Sequence, residues 1–303
     1  MTVYDLKTMQ ICKIQENTVV ALGTFDGCHS GHAAVLQNAF LLAKKEGLKS
    51  LVYTFDTSRI KGQELIMTLE EKIKAIKKFG IDYIAIDDFE SVRALSGEEF
   101  FKKTLFGELG ARHGVCGFNY RFGNKASSGV LDLKAFFEKT GGSVCISPQI
   151  TVDGTPVSST LLRECIKNGD LDRIASFSSP YSIYAKVERG KGLGNKMGMA
   201  TVNQQIPEGK VVPKSGVYIT ECEIGEDVYP AVTNVGYRPT TDGENNRLNV
   251  ETHIIGYTGM LYDSCLRVNF YKRIRDEKRF ASAEELVAQV ESDKRQATEY
   301  FLH

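Results

Sequence analysis

The sequence has no net charge: 38 Lys+Arg stand against 38 Asp+Glu in 303 residues. A protein that works by neutralising phosphates along a nucleic acid needs a clustered basic surface, so nucleic acid is not expected as a partner. Also missing is any apolar run of the roughly eighteen residues that a membrane span requires, and the opening MTVYDLKTMQICKIQ has no apolar core of signal-peptide length. No membrane association is expected, and the expected compartment is the cytoplasm. The seven cysteines (12, 28, 116, 145, 165, 222 and 265) include no C-x-x-C pair. Odd in number and dispersed, they read as reduced thiols and not as a disulfide framework or zinc site. What is present is an ordinary globular composition, 42% hydrophobic and 25% charged, and enough length for roughly two domains of about 150 residues. Small-ligand chemistry leads the list of functions.

From Thr18 to about Phe177, short β-branched or aromatic runs alternate with helix-period stretches, the signature of βαβ units on a parallel sheet. Strands are expected at Thr18–Leu22, Ser50–Phe55, Tyr83–Ile86, Val115–Phe118 and Val144–Ile146. Helices are expected at Gly31–Glu46, Leu69–Phe79, Gly97–Phe106 and Leu131–Lys139. This is a doubly wound α/β, nucleotide-binding architecture. After Ser178-Ser179-Pro180 the periodic segments shorten to strand length, at Tyr181–Glu188, Gly216–Cys222, Tyr229–Val235, Leu248–Ile255 and Cys265–Tyr271. A second, mostly antiparallel β-barrel domain is expected there. It closes with a helix whose capping box is Ser282 and Glu285 and whose apolar face is Leu286, Val290, Ala297 and Phe301. The expected domains are residues 1–179 and 180–303.

Gly23-Thr24-Phe25-Asp26-Gly27-Cys28-His29-Ser30-Gly31-His32 follows an expected strand and opens an expected helix, the place where α/β sheets bind ligands. A helix N-terminus offers unpaired N–H groups and partial positive charge, which suits polyphosphate. His29 and His32 can donate hydrogen bonds to oxygens that gather charge when an α-phosphate is attacked. Gly23 and Gly31 let backbone approach phosphate without a Cβ in the way. Taken alone, H-x-G-H fits a capped turn with passenger histidines equally well. Ser158-Ser159-Thr160 with Arg163 again places hydroxyls at a helix start and a cation one turn in, read either as a plain N-cap or as a phosphate clamp in which Arg163 holds β- or γ-phosphate oxygens.

The second cluster starts with the glycine-rich loop Gly190 to Gly198, which fits neither a P-loop nor a dinucleotide fingerprint. It sharpens with Thr201, Asn203 and Glu251. Thr hydroxyl and Asn carbonyl oxygens suit Mg²⁺ carried on a nucleotide, and a Glu on a facing strand can take a proton from an attacking alcohol. The plain alternative for Glu251 is an outward-facing strand carboxylate.

The motifs G-x-F-D-G-x-H-x-G-H, T-F-D at Thr54–Asp56, G-F-N-Y-R-F-G at Gly117–Gly123 and S-S-T-x-x-R at Ser158–Arg163 resemble the adenylyltransferase module of the bacterial bifunctional riboflavin kinase/FAD synthetase family. The resemblance implies ATP binding and transition-state stabilisation by the first motif, through Gly23, Phe25, Asp26, His29, Gly31 and His32. It implies a grip on ATP phosphates by Ser158, Ser159, Thr160 and Arg163, and places Asn119 and Arg121 close to nucleotide and flavin. Where the family usually continues T-F-D with Pro-His-Pro, this chain has Thr57-Ser58-Arg59.

Downstream, the sequence is similar to the riboflavin kinase module of that family, written G-x-P-T-A-N with a V-E-T/V-H strand. Carried over, Gly190 and Gly198 belong to the nucleotide loop, Thr201 and Asn203 coordinate ATP-bound Mg²⁺, and Glu251 is the general base on the ribityl 5′-hydroxyl. Asn234 to Thr240 matches N-x-G-x-R-P-T. Ala200 replaces the family's Pro, and Leu193 and Asn195 replace two arginines of the glycine loop. That loss of positive charge implies a weaker hold on phosphate, which Lys191 and Lys196 can offset. The implied protein is an enzyme that uses ATP and Mg²⁺ to phosphorylate riboflavin to FMN and adenylylate FMN to FAD. Two other readings fit the same residues: an FMN adenylyltransferase with a degenerate flavin-binding kinase domain, and a non-catalytic flavin- or nucleotide-sensing protein.

Overall fold

Five parallel strands carry the first half: β2 (Thr18–Leu22), β3 (Lys49–Phe55), β4 (Tyr83–Asp87), β5 (Ala111–Gly117) and β8 (Ser143–Ser147), with a sixth, β1 (Thr2–Asp5), on the β4 edge. Between β5 and β8 lies a short hairpin, β6 (Arg121–Phe122) and β7 (Ser128–Gly129). The order is β1-β4-β3-β2-β5-β8. β2 is therefore the switch point: the chain moves outward through β3 and β4, then returns to β2's other side for β5. These statements come from a computed structural model that describes residues 1–6, 14–59, 62, 64–188, 201–239 and 246–302, with the side chains of 59, 238, 239, 246 and 247 left out.

Alternation along the strands buries both faces of this sheet. Val20 and Leu22 face a core with Leu51, Tyr53, Phe100 and Phe101. Val19 and Ala21 face a second core with Val52 and with Val35, Leu36, Ala39 and Ala43 of helix α1 (Ser30–Glu46). α1 ends at Gly47 in the left-handed region, with Lys44 and Lys45 in its last turn. Helix α2 (Leu69–Lys77) opens with a capping box in which Thr68 Oγ1 accepts from Glu71 N and the Glu71 carboxylate accepts from Thr68 N.

Two local details differ from expectation. The helix expected at Gly97–Phe106 is one α-turn, Gly97–Glu99, that runs into a π-helical segment, Phe100–Glu108. The wider turn brings Phe100, Phe101, Thr104 and Leu105 all to the core. The edge strand β1 carries no pattern of its own, since Val3 on it is exposed.

Further along come two short strands, β9 (Thr151–Val152) and β10 (Thr155–Pro156), and the helices Ser159–Asn168 and Leu171–Ile174. The barrel follows: β11 (Tyr181–Glu188), β12 (Thr201–Gln204), β13 (Gly216–Ile224), β14 (Asp227–Pro239), β15 (Asn246–Ile254) and β16 (Cys265–Arg275), closed in the order β11-β12-β15-β14-β13-β16. All of its pairings are antiparallel. Inside it Thr220, Thr233 and Thr252 share a hydroxyl chain at 2.8 and 2.9 Å. The last helix, Ala283–Leu302, sets Ala297 and Phe301 against Val217, Ile219 and Val232. Its docked face also holds the buried Asp293, which pairs with Arg275 at 2.7 Å. By packing, the chain divides into Met1–Ser159 and Thr160–His303, so the two helices before the barrel go with the second unit. Among the described residues all six cysteines are free, and no helix is long and apolar enough to cross a membrane.

Candidate active sites

The first site lies at β2, where the strand order reverses. β2 ends beside β5, with Leu22 opposite Cys116, so the turn Gly23–His29 and the segment Gly117–Gly123 leave the C-terminal ends of adjacent strands. That is the crevice where open α/β sheets bind ligands. The turn is tight: Phe25, Gly27 and Cys28 all have positive φ (50°, 89° and 39°). The Phe25 ring is buried against Gly23, where a Cβ would lie 3.1 Å from it. His29 is the N-cap of α1, its Nδ1 accepting from His32 N at 3.4 Å, so the neutral ring carries its proton on Nε2. The two imidazoles stack at 3.8 Å with a 19° interplanar angle. Gly31 makes room for this, since a Cβ there would sit 3.0 Å from the His29 ring.

Burial holds both rings neutral. It pulls His29 down to about 4. For His32, burial comes first and the charges of His29 and Lys72 add to it, taking the ring well below the usual histidine range. Neutral imidazoles at a helix start are donors of the kind that stabilises charge developing on oxygen. Ser30 Oγ and His32 Nδ1 are buried without a hydrogen-bond partner.

Asp26 also braces the turn from within. Its buried carboxylate accepts from the backbone N–H of Ile66 and Met67 at 3.0–3.2 Å, and so clamps the approach to α2. Its carbonyl accepts from Ser159 Oγ at 2.7 Å, which ties the first motif to the serine motif. Ser158 is half-buried, and Thr160 and half-buried Arg163 continue Ser159's helix as the opening of the second unit. Asn119 is exposed. Arg121 donates to the Ala126 carbonyl at 3.0 and 2.7 Å. Thr57-Ser58-Arg59 forms a 3-10 turn whose Ser58 N and Oγ donate to Asp56. Sequence reasoning passed over Lys72, fully buried on α2 with its ammonium 2.9 Å from the Phe55 carbonyl.

The second site is written across the barrel. Asn203 of β12 lies opposite Glu251 of β15, and Glu251 lies opposite Asn234 of β14, so three strands put three polar side chains in one row. Val250 and Thr252 point into the barrel and are fully buried, which turns Glu251 to the outer face. Thr201, two residues from Asn203, shares that face. Asn203 is buried and its Oδ1 accepts from Asn249 Nδ2 at 3.3 Å. Asn234 Nδ2 donates to Glu277 at 3.0 Å, and that carboxylate lies where a Cβ on Gly236 would have to go. Residues 189–200, among them Gly190, Lys191, Leu193, Asn195, Lys196, Gly198 and Ala200, lie outside the described residues, as does Thr240. Among those described, no three His, Cys, Asp or Glu cluster as a metal site.

A family model described as FAD synthetase matches residues 11–161, and one described as riboflavin kinase matches 177–301. The chain is 31% identical to the bifunctional riboflavin kinase/FMN adenylyltransferase of Bacillus subtilis (strain 168), over 95% of this chain and 93% of that protein. The chain belongs to the bifunctional riboflavin kinase/FMN adenylyltransferase family. The Escherichia coli (strain K12) member is likewise 31% identical, over 95% and 94% of the two chains. A crystal structure from Streptococcus pneumoniae described as a macrolide-efflux protein has the same fold, with a TM-score of 0.85 and 28% identity over 98% of this chain and 99% of that one. The two family models fall one on each site: the histidine turn lies in the FAD synthetase match and the Asn203–Glu251–Asn234 row in the riboflavin kinase match.

Proposed function

We propose that this protein is a two-site transferase that phosphorylates riboflavin to FMN on its barrel and adenylylates FMN to FAD in its α/β unit, using ATP for both. The observation that carries the reading is the stacked, neutral His29–His32 pair at the start of α1, within a chain that matches both family models. FMN's phosphate attacks the α-phosphorus of ATP and pyrophosphate leaves. Nε2–H of His29 and the ring of His32 donate to the oxygens that gather charge in that step, with no covalent intermediate on the protein. The family pattern assigns ATP-phosphate contacts to Ser158, Ser159, Thr160 and Arg163, nucleotide and flavin contacts to Asn119 and Arg121, and loop contacts to Gly190 and Gly198.

On the barrel, Glu251 orients the ribityl 5′-hydroxyl toward the γ-phosphate and accepts its proton as it becomes acidic during transfer. An alcohol is far too weak an acid for a carboxylate of reference pKa about 4.3 to deprotonate beforehand. The hard oxygens of Thr201 and Asn203 fit Mg²⁺, which when bound with ATP neutralises phosphate charge. The functional halves divide near Pro180, into residues 1–179 and 180–303, a reading supported by the kinase match starting at 177. Cytoplasmic location is supported by the free cysteines. The test is chromatography of products from riboflavin, ATP and Mg²⁺: FMN should form first and FAD after it. Failure to form either flavin nucleotide would overturn the reading.

A further inference from the structure

Lysine is almost never fully buried unless something compensates its charge. Helix α2 has every means of keeping its lysines wet: Lys74, Lys77 and Lys78 are all exposed. Lys72 alone of that set is sealed in, with 0% exposure. Its ammonium donates to the carbonyl of Phe55, the last residue of β3, at 2.9 Å and reaches Thr57 Oγ1 at 3.5 Å. Burial lowers it to about 8, against the opposing pull of Asp26, Cys28 and Asp56. It therefore stays charged at neutral pH, and its field is felt at Cys28 and His32. The charged and titratable groups that act on Lys72 are thus Asp26 and Cys28 from the histidine turn and Asp56 from just past the end of β3.

We propose that Lys72 is a positioning residue of the adenylyl-transfer site: its buried ammonium fastens the end of β3 and the Thr57 turn, and from that strand end Thr54 Oγ1 donates to the Thr24 carbonyl of the histidine turn at 3.0 Å. The inference rests on the adenylyltransferase reading of that site. It accounts for a buried cation that the fold does not need for its apolar cores, and for the way Thr57-Ser58-Arg59 is held: Ser58 on Asp56 and Thr57 on Lys72. The fixed charge also opposes protonation of His32.

The test is Lys72→Met in the full chain, with FAD formation from supplied FMN and FMN formation from riboflavin measured on one preparation. For FAD formation kcat should fall about tenfold or more with a small change in the KM for ATP, as expected for lost transition-state alignment. The acid limb of its pH profile should move to higher pH, and FMN formation should stay at the wild-type rate. A lysine that only supports folding would move neither kcat per folded molecule nor the acid limb. Because removing a buried cation leaves Asp56 uncompensated, Lys72→Met/Asp56→Asn is measured beside it with Asp56→Asn as reference. Removing both charges should restore melting but leave FAD formation slow. Recovery of wild-type turnover in the double variant, or wild-type kcat and pH profile in Lys72→Met, would overturn the proposal. Wild-type protein that makes no FAD from FMN would instead overturn the adenylyltransferase reading itself.

Discussion

The two sites are built by opposite means. In the α/β unit the proposed adenylyl-transfer residues sit on a turn at the end of a strand, where three positive-φ residues and a helix N-terminus present two imidazoles, and the charged Asp26, Asp56 and Lys72 are buried. On the barrel the proposed kinase residues sit on the strands themselves, and antiparallel register sets Asn203, Glu251 and Asn234 side by side. A turn gives close backbone approach to phosphate and lets burial hold imidazoles neutral, but depends on every small residue that packs it. A strand row tolerates local change and depends on register.

That contrast can be broken or sharpened by measurement. Glu251→Gln keeps the shape and one acceptor oxygen but removes the charge, and should cost roughly 10²–10⁴ in riboflavin kinase kcat while binding of riboflavin and ATP persists in titrations. Near-normal single-turnover phosphorylation would return Glu251 to an ordinary outward strand carboxylate. His32→Ala should slow FAD formation by about 10²–10³, read as FMN accumulating from riboflavin at the wild-type rate.

Acid should strike the turn. The folded state holds His29 neutral down to about 4, while the unfolded chain takes up a proton near 6.5. Its stabilising contribution is therefore complete above about 6.5 and lost as pH falls toward 4, on the order of 3 kcal/mol. Melting curves between pH 7 and 4.5 check this, and a flat melting temperature would contradict it. The smallest effect belongs to Gly31→Ala, where the new Cβ meets the His29 ring at 3.0 Å. About a tenfold loss of FAD formation with unchanged FMN formation is expected.

The sequence made the parallel sheet legible because its strands are short, β-branched and separated by strong helical periods. The histidine turn was legible because its residues are contiguous. Asp26 illustrates the limit of such reading: a motif names the residue but not its direction, and here the carboxylate turns inward to the amides of Ile66 and Met67. Lys72 was hidden for a related reason. In Glu-Glu-Lys-Ile-Lys-Ala-Ile-Lys-Lys it looks like one solvated lysine among four, and only the burial of α2 against β3's end singles it out. The apolar face expected for the last helix holds Ala297 and Phe301, but it also docks through Asp293, whose charge Arg275 compensates from another element. Long-range partners of this kind leave no trace in periodicity.

The central claim, two reactions on two separately built sites, is tested most directly by one product assay of Glu251→Gln and His32→Ala, each supplied once with riboflavin and once with FMN, always with ATP and Mg²⁺. The account predicts that Glu251→Gln turns FMN into FAD but leaves riboflavin unphosphorylated, whereas His32→Ala turns riboflavin into FMN and stops there. Loss of both reactions in either folded variant, or FAD formation at the wild-type rate in His32→Ala, would contradict it.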